Sequence, residues 1–170
     1  MTSKAARAPD EFQSAVRASW NDLNGLELLR AVAAGRIPHP GRYGYLGLRL
    51  REARAGEVEL DWTPPPALCN FAGGVDGGYI AMVFDQVCCN AAVSRCDRGY
   101  PMLTLNLTVD YFRPVVAGHS YRARAELVHF GRKRLVARAS LLDSADSLLA
   151  QASATVLPNL LSASKQTEEK

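Results

Sequence analysis

The chain has 170 residues, 48% of them apolar and 22% charged, and carries a net charge of +3. That balance excludes an intrinsically disordered chain, and a domain of this size buries roughly two thirds of its unfolded surface without a disulfide or metal staple. No apolar run approaches the ~18 residues of a spanning helix, and the first dozen residues include Lys4 and Arg7 with no apolar stretch behind them. The expectation is a cytoplasmic protein with no membrane partner; the basic residues are scattered without interleaved aromatics, which argues against a nucleic-acid partner.

Residues 1–9 read as a loose tail, followed by a single domain over 10–158. An amphipathic pattern begins at Asp10, with Phe12, Val16 and Trp20 four apart, and Asn24-Gly25 interrupts it. Leu26, Leu29, Val32 and Ala33 then predict a second helix that stops at Gly35. The segment Ile37–Gly44 is expected to be extended and turn-rich, because its prolines and glycines break both helix and sheet. Strands are predicted at Tyr45–Ala53 and Glu57–Trp62, the second ended by Pro64, Pro65 and Pro66. A loop over Ala67–Val75 contains Asn70, Gly73 and Gly74.

Residues Gly77–Val93 are apolar at almost every position, and a helix that is apolar all round is a buried one. Asp76 stands where its N-cap would be. After a turn at Asp97–Pro101 the period switches to two: Leu103, Leu105, Leu107, Val109 and Tyr111 alternate with Thr104, Asn106, Thr108 and Asp110. Arg113-Pro114 ends that strand, and further strands are predicted at about 120–130, 133–143 and 147–157. Beyond Pro158 the residues turn to Ser, Lys, Gln and Glu, so 159–170 reads as a frayed tail. Strands joined by short turns imply an antiparallel sheet, here wrapped around one buried helix in an α+β domain.

Asp85 is the most informative residue. Aspartate is a poor helix-interior residue, and a carboxylate is costly to bury without partners. Either it caps or bonds a neighbouring backbone group, or this face is wetter than the pattern suggests, or it is held in a pocket as a base or nucleophile. Gly77, with no side chain, leaves a bare N–H at the positive end of the helix, where a developing oxyanion is stabilised. Asn70 has an amide able to donate to a carbonyl, or to form an Asx-turn. Thr104 lies on the polar face of the clearest strand. Cys88 and Cys89 read as small core residues, since Cys69, Cys88, Cys89 and Cys96 form no CxxC pair and have no histidine at metal spacing. No nucleophile elbow, P-loop or dinucleotide fingerprint is present, so metal, nucleoside triphosphate and NAD chemistry lack support.

These pieces form an ordered set. The stretch Asn70-Phe71-Ala72-Gly73-Gly74-Val75-Asp76-Gly77-Gly78 is followed by Asp85, then by Tyr111-Phe112-Arg113-Pro114 and Gly118, and is preceded by Gly25-Leu26-Glu27-Leu28-Leu29-Arg30 and Gly35. From about Gly25 to Pro158 the set resembles the PaaI-like acyl-CoA thioesterases of the hot-dog fold superfamily, whose loop and helix start read N-x-x-G-x-x-H-G-G. The resemblance implies a hot-dog domain with an N-terminal helical extension, and a homodimer or dimer of dimers with sites across the interface. Asn70 and Gly77 of one subunit would face Asp85 and Thr104 of the other. The Gly77 N–H would polarise the thioester carbonyl, Asp85 would act as general base on water or as nucleophile, Asn70 would orient the substrate, and Thr104 would position water or the carboxylate. Asp76, Gly78 and Cys89 would border the substrate, while Arg113, Arg132 and Lys133 would meet coenzyme A phosphates, which guanidinium geometry suits. No cofactor is implied beyond the coenzyme A of the substrate.

One position departs from the pattern: Asp76 stands where the family has histidine. Two like unit charges ~4 Å apart at an effective dielectric of about 20 repel by roughly 4 kcal/mol, which costs several hundredfold to a thousandfold in rate unless the carboxylate is protonated, turns away or serves a different substrate. Thioester hydrolysis is therefore the first expectation, and non-hydrolytic binding of an acyl-CoA or lipid-like ligand the alternative.

Overall fold

The computed structural model describes residues 11–160 apart from 20; the tail at 1–9, nearly all of 159–170, and Asp10 and Trp20 of the first helical pattern lie outside them. Helix α1, Glu11–Ala18, buries no residue fully, but its Phe12 and Val16 lean on the core. Helix α2 spans Gly25–Ala33. Its start is a capping box: the Glu27 N–H donates to the Asn24 side chain at 2.9 Å, and the Asn24 N–H donates to the Glu27 carboxylate at 2.9 Å. Asn24 is thus the cap of the second helix as well as the break after the first. Gly35 follows with φ +72°, the left-handed residue expected to stop it.

The segment after it differs from expectation. Residues Gly41–Leu46 form a short helix, α3, rather than extended chain, and strand β1 begins at Leu48, not Tyr45. Proline at position 40 can precede a first turn as readily as break one, and Gly47 at φ +70° ends the helix. Glycine is required at 47 twice over, since a Cβ there would lie 2.0 Å from the Thr63 carbonyl oxygen.

Strands β1 (Leu48–Arg54), β2 (Glu57–Trp62), β3 (Met102–Tyr111), β4 (Tyr121–Phe130), β5 (Leu135–Leu142) and β6 (Leu148–Pro158) make one antiparallel sheet in the order β1-β2-β4-β5-β6-β3. Helix α4, Gly77–Val93, packs against all of these strands but β1. This is the hot-dog arrangement. Period-two alternation supplies the concave face: Leu60, Ala123, Ala137, Leu141 and Val156 are fully buried, and from the helix Phe84, Val87, Cys88, Ala91 and Ala92 meet them. Small alanines on β4, β5 and β6 let the helix lie close to the sheet.

Two expectations about burial need correction. Helix α4 is not buried all round: Met82 is 40% exposed, and Asp85, Gln86, Cys89 and Asn90 are only partly covered. Cys88 is a core residue as expected, whereas Cys89 sits on this half-open stripe. The reason lies at the sheet's edge. Strand β3 has only β6 beside it, and its Leu103 and Leu105 are 45% and 51% exposed. The flank of α4 beside this edge is therefore left partly open, with Arg42 and Tyr43 of α3 reaching its Gln86 and Asn90.

His39 ties α3 to the sheet: the Leu50 N–H donates to His39 Nε2 at 3.0 Å. Burial holds the His39 pKa below its ordinary value of 6.5. The unfolded chain thus takes up a proton before the folded one does, so stability is full above pH 6.5 and declines as pH falls through the lowered folded value. Thermal melts from pH 7.5 to 5 should show this decline, and His39→Gln should flatten it.

Candidate active site

The chain enters α4 through a stapled loop. The Asn70 carboxamide oxygen accepts from the Ala72 N–H at 2.9 Å, and the Gly73 N–H donates to the Asn70 carbonyl at 3.0 Å. The Asx-turn reading of Asn70 therefore holds, and it leaves the side-chain NH₂ without an acceptor among the described residues. The Asp76 N–H donates to the Leu68 carbonyl and the Val75 N–H to the Val115 carbonyl, both at 2.9 Å. These two bonds fix the direction in which the helix starts.

Asp76 is the N-cap, accepting from the Gly78 N–H at 2.9 Å. The carboxylate is exposed and turned onto the cap, so water screens it and the helix end compensates it. The Gly78 N–H is occupied by this bond. The Gly77 N–H has no acceptor among the described residues and stays available. Tyr111, at the far end of β3, donates its hydroxyl to the Gly77 carbonyl at 2.8 Å. A Cβ on Gly77 would lie 3.4 Å from the Tyr111 ring, in van der Waals contact with it. Burial, with the Asp76 charge nearby, pushes the Tyr111 hydroxyl pKa up and keeps it a donor.

Two turns further along α4, Asp85 is held from both sides. Thr104 on β3 donates its hydroxyl to Asp85 Oδ1 at 2.5 Å, and Gln86 Nε2 lies 3.3 Å from Oδ2. The orientation of Gln86 is set by Arg42, whose Nε donates to Gln86 Oε1 at 3.0 Å. A guanidinium only donates, so the amide oxygen must face it and the NH₂ must face Asp85. Cys89, one turn on, brings its Sγ within 3.9 Å of Asp85 Oδ1 and 3.7 Å of Thr104 Oγ1. Burial, reinforced by Asp85, pushes the Cys89 thiol up to about 12. A cavity of about 440 Å³ opens beside Asp85, Gln86 and Cys89 and runs under α1.

One chain thus carries two separate clusters. Gly77 and Asp85 are eight residues apart, about 12 Å along the helix at ~1.5 Å per residue. Thr104 and Tyr111 are about 23 Å apart along β3 at ~3.3 Å per residue. The basic residues divide the same way. Arg113 follows Tyr111, whereas Arg132 and Lys133 sit in the β4–β5 turn at the Thr104 end, because Leu135 pairs with Val156 and Val156 with Thr104. Of the residues singled out from the sequence, the fold brings together Asp85, Thr104 and Cys89 in one cluster and Asp76, Gly77 and Gly78 in the other.

A family model for the thioesterase superfamily matches residues 72–150, from the glycine-rich loop through α4 into β6. A phenylacetic acid degradation-related protein from Ralstonia eutropha is 31% identical, with 75% of this chain and 97% of that chain covered at a TM-score of 0.68. This chain belongs to the thioesterase superfamily. The PaaI protein of the Escherichia coli phenylacetic acid degradation operon shares the fold at 18% identity, covering 76% and 92% of the two chains with a TM-score of 0.68. So does a Streptococcus mutans protein bound to acetyl CoA, at 21% identity, 66% and 88% coverage and a TM-score of 0.61. No protein of curated function matches the sequence.

Arg42, Gln86 and Tyr111 also belong to these two clusters, and the sequence alone does not single them out. Gln86 stands in the same apolar helix as Asp85 and was open to the same argument. Arg42 and Tyr111 reach the site only through the fold. No group of three or more His, Cys, Asp or Glu able to hold a metal occurs among the described residues. A thiol held protonated at neutral pH is a poor nucleophile, so Cys89 should alkylate more slowly than free cysteine at pH 8. Asp85→Asn should speed that reaction, as read by peptide mapping after iodoacetamide labelling.

Proposed function

We propose that this protein hydrolyses an acyl-CoA, or acyl-carrier, thioester to a free acid and a thiol. The observation that carries the reading is the half-buried Asp85 with Thr104 bonded to it at 2.5 Å, at the mouth of a cavity in a thioesterase-superfamily fold. Thr104 spends its proton on Asp85, so its oxygen lone pairs remain free to accept from a water. That water rests against both oxygens of the bonded pair. Asp85 takes the water proton as the oxygen attacks the thioester carbon, and the carbonyl oxygen gathers charge at a free helix N–H. The tetrahedral adduct then expels the thiolate, and the proton on Asp85 neutralises it. The acetyl CoA bound by the Streptococcus mutans protein supports coenzyme A as the carrier.

The N–H in question belongs to a second copy. Within one chain Gly77 is about 12 Å from Asp85 along the helix, beyond the reach of a single carbonyl group. The open edge of β3 supplies the missing half. Two such edges paired antiparallel about a two-fold axis set the Tyr111 end of each against the Thr104 end of the other. One chain's Gly77 and Asn70 then approach its partner's Asp85 and Thr104, and Arg113 joins the partner's Arg132 and Lys133 around one set of phosphates. The exposed Leu103 and Leu105 on that edge favour the pairing.

A second reading rests on Asp76, whose carboxylate stands beside the N–H that must polarise the carbonyl. If its charge weakens that donor enough, the site binds acyl-CoA and does not turn it over.

Asp85→Asn should lower kcat by about 10²–10⁴-fold with the melting temperature kept. Hydrolysis of no member of a panel of aliphatic and aromatic acyl-CoAs by the wild type would overturn the hydrolytic reading. Asp76→His should raise kcat/KM if the residual charge opposes the oxyanion; an unchanged rate would show that capping and screening already neutralise it. Leu105→Lys should shift the protein toward monomer in sedimentation and remove hydrolysis in step, while full activity in a monomer would sink the shared site.

A further inference from the structure

The cavity beside Asp85 has apolar walls in Phe12 and Val16 of α1, Leu28 and Leu29 of α2, and Val93 and Met102. Gln13, Arg17, Arg42, Gln86 and Tyr100 line it as well, alongside the bonded pair Tyr43 and Asn90. Tyr43, on α3, is 3% exposed, and its hydroxyl accepts from Asn90 Nδ2 at 3.0 Å. That single bond leaves capacity unspent on both partners. The Tyr43 hydroxyl proton meets no acceptor, and the Asn90 carboxamide oxygen meets no donor, among the described residues. A buried phenol usually finds a partner for its O–H, and a buried donor without one costs the desolvation of that group. Burial pushes the Tyr43 pKa up, so the hydroxyl remains a donor.

Both groups line the same cavity as Asp85. One donor and one acceptor side by side match a ligand hydroxyl, which can accept from Tyr43 and donate to Asn90. Asn90 lies five residues beyond Asp85, about 7.5 Å along the helix at ~1.5 Å per residue. A hydroxyl roughly six bonds from the thioester carbon spans that distance. The aliphatic part of the lining, Leu28, Leu29, Val93 and Met102, suits the methylenes.

We infer that Tyr43 and Asn90 are specificity-determining residues that select acyl thioesters bearing a hydroxyl at the distal end of a medium-length chain. The inference rests on the thioesterase reading for the position of the reacting carbon, but the pocket itself does not depend on turnover. A site built around polar groups rejects an analogue that lacks the matching group far more strongly than an apolar pocket rejects an added one.

The experiment compares 6-hydroxyhexanoyl-CoA with hexanoyl-CoA. With wild-type protein, kcat/KM should favour the hydroxylated substrate by about tenfold or more, and calorimetric affinity for the two should rank the same way. Tyr43→Phe retains the ring and removes the hydroxyl. It should bring the ratio near unity while hexanoyl-CoA turnover stays within about twofold. Asn90→Leu is a second test at a position less buried than Tyr43, and its ratio should fall likewise. Equal handling of the two substrates by the wild type, or a preference that survives both substitutions in folded protein, overturns the assignment. If neither substrate is hydrolysed, the hydrolytic reading falls alone; a binding preference that Tyr43→Phe abolishes still supports the pocket, and equal binding overturns it.

Discussion

The burial of α4 against the sheet is the constraint on which the other features depend. Its Phe84, Val87, Cys88, Ala91 and Ala92 are sealed against alanines and leucines of the sheet, which fixes the rotation of the helix about its axis. Once that rotation is set, Asp85 and Cys89 point toward the edge where the sheet ends at β3, and Gln86 and Asn90 toward Arg42 and Tyr43 of α3. A carboxylate in the middle of an apolar helix is tolerated because it lies on this boundary, where Thr104 and Gln86 supply donors and water has access. The same packing that holds the fold together therefore aims the polar groups. A large-to-small change such as Phe84→Ala would disturb the site as well as remove roughly 3–5 kcal/mol of stability.

The backbone of this design was legible in the sequence. The limits of α4, the period-two strands and the Asp76 cap follow from local patterns, and local patterns survive folding when they agree with the tertiary context. What was not legible depended on what lies beside a segment. Ile37–Gly44 contains two prolines and two glycines and reads as loop, yet Gly41–Leu46 closes into a helix because Tyr43 and Leu46 anchor in the core. The exposed stripe on α4 cannot be deduced from composition, because an edge strand and a central strand can share one alternation. Cys89 was misread as core for that reason. Arg42 sits far from Asp85 in sequence, and nothing local hints that its guanidinium fixes the amide of Gln86.

The electrostatics of the helix start show a similar division. From sequence, Asp76 is a like charge near a developing oxyanion. In the structure its oxygen is engaged by the Gly78 N–H and the carboxylate is exposed. Coulomb repulsion of about 4 kcal/mol at ~4 Å and a dielectric of about 20 is an upper bound for a charge that is both solvated and compensated by a helix end. The cap and the Tyr111 hydroxyl on the Gly77 carbonyl together tie down the first turn and with it the direction of the Gly77 N–H.

The distance between the two clusters has a genetic corollary. In a paired assembly each chain lends a donor end to one site and a carboxylate end to the other. Damage confined to either end would leave a homodimer with two broken sites. A mixed dimer of two such chains, one broken at each end, would gather both lesions into one site and leave the other whole. Two inactive alleles expressed together would then restore what neither restores alone, so the phenotype of a substitution here would depend on which allele accompanies it.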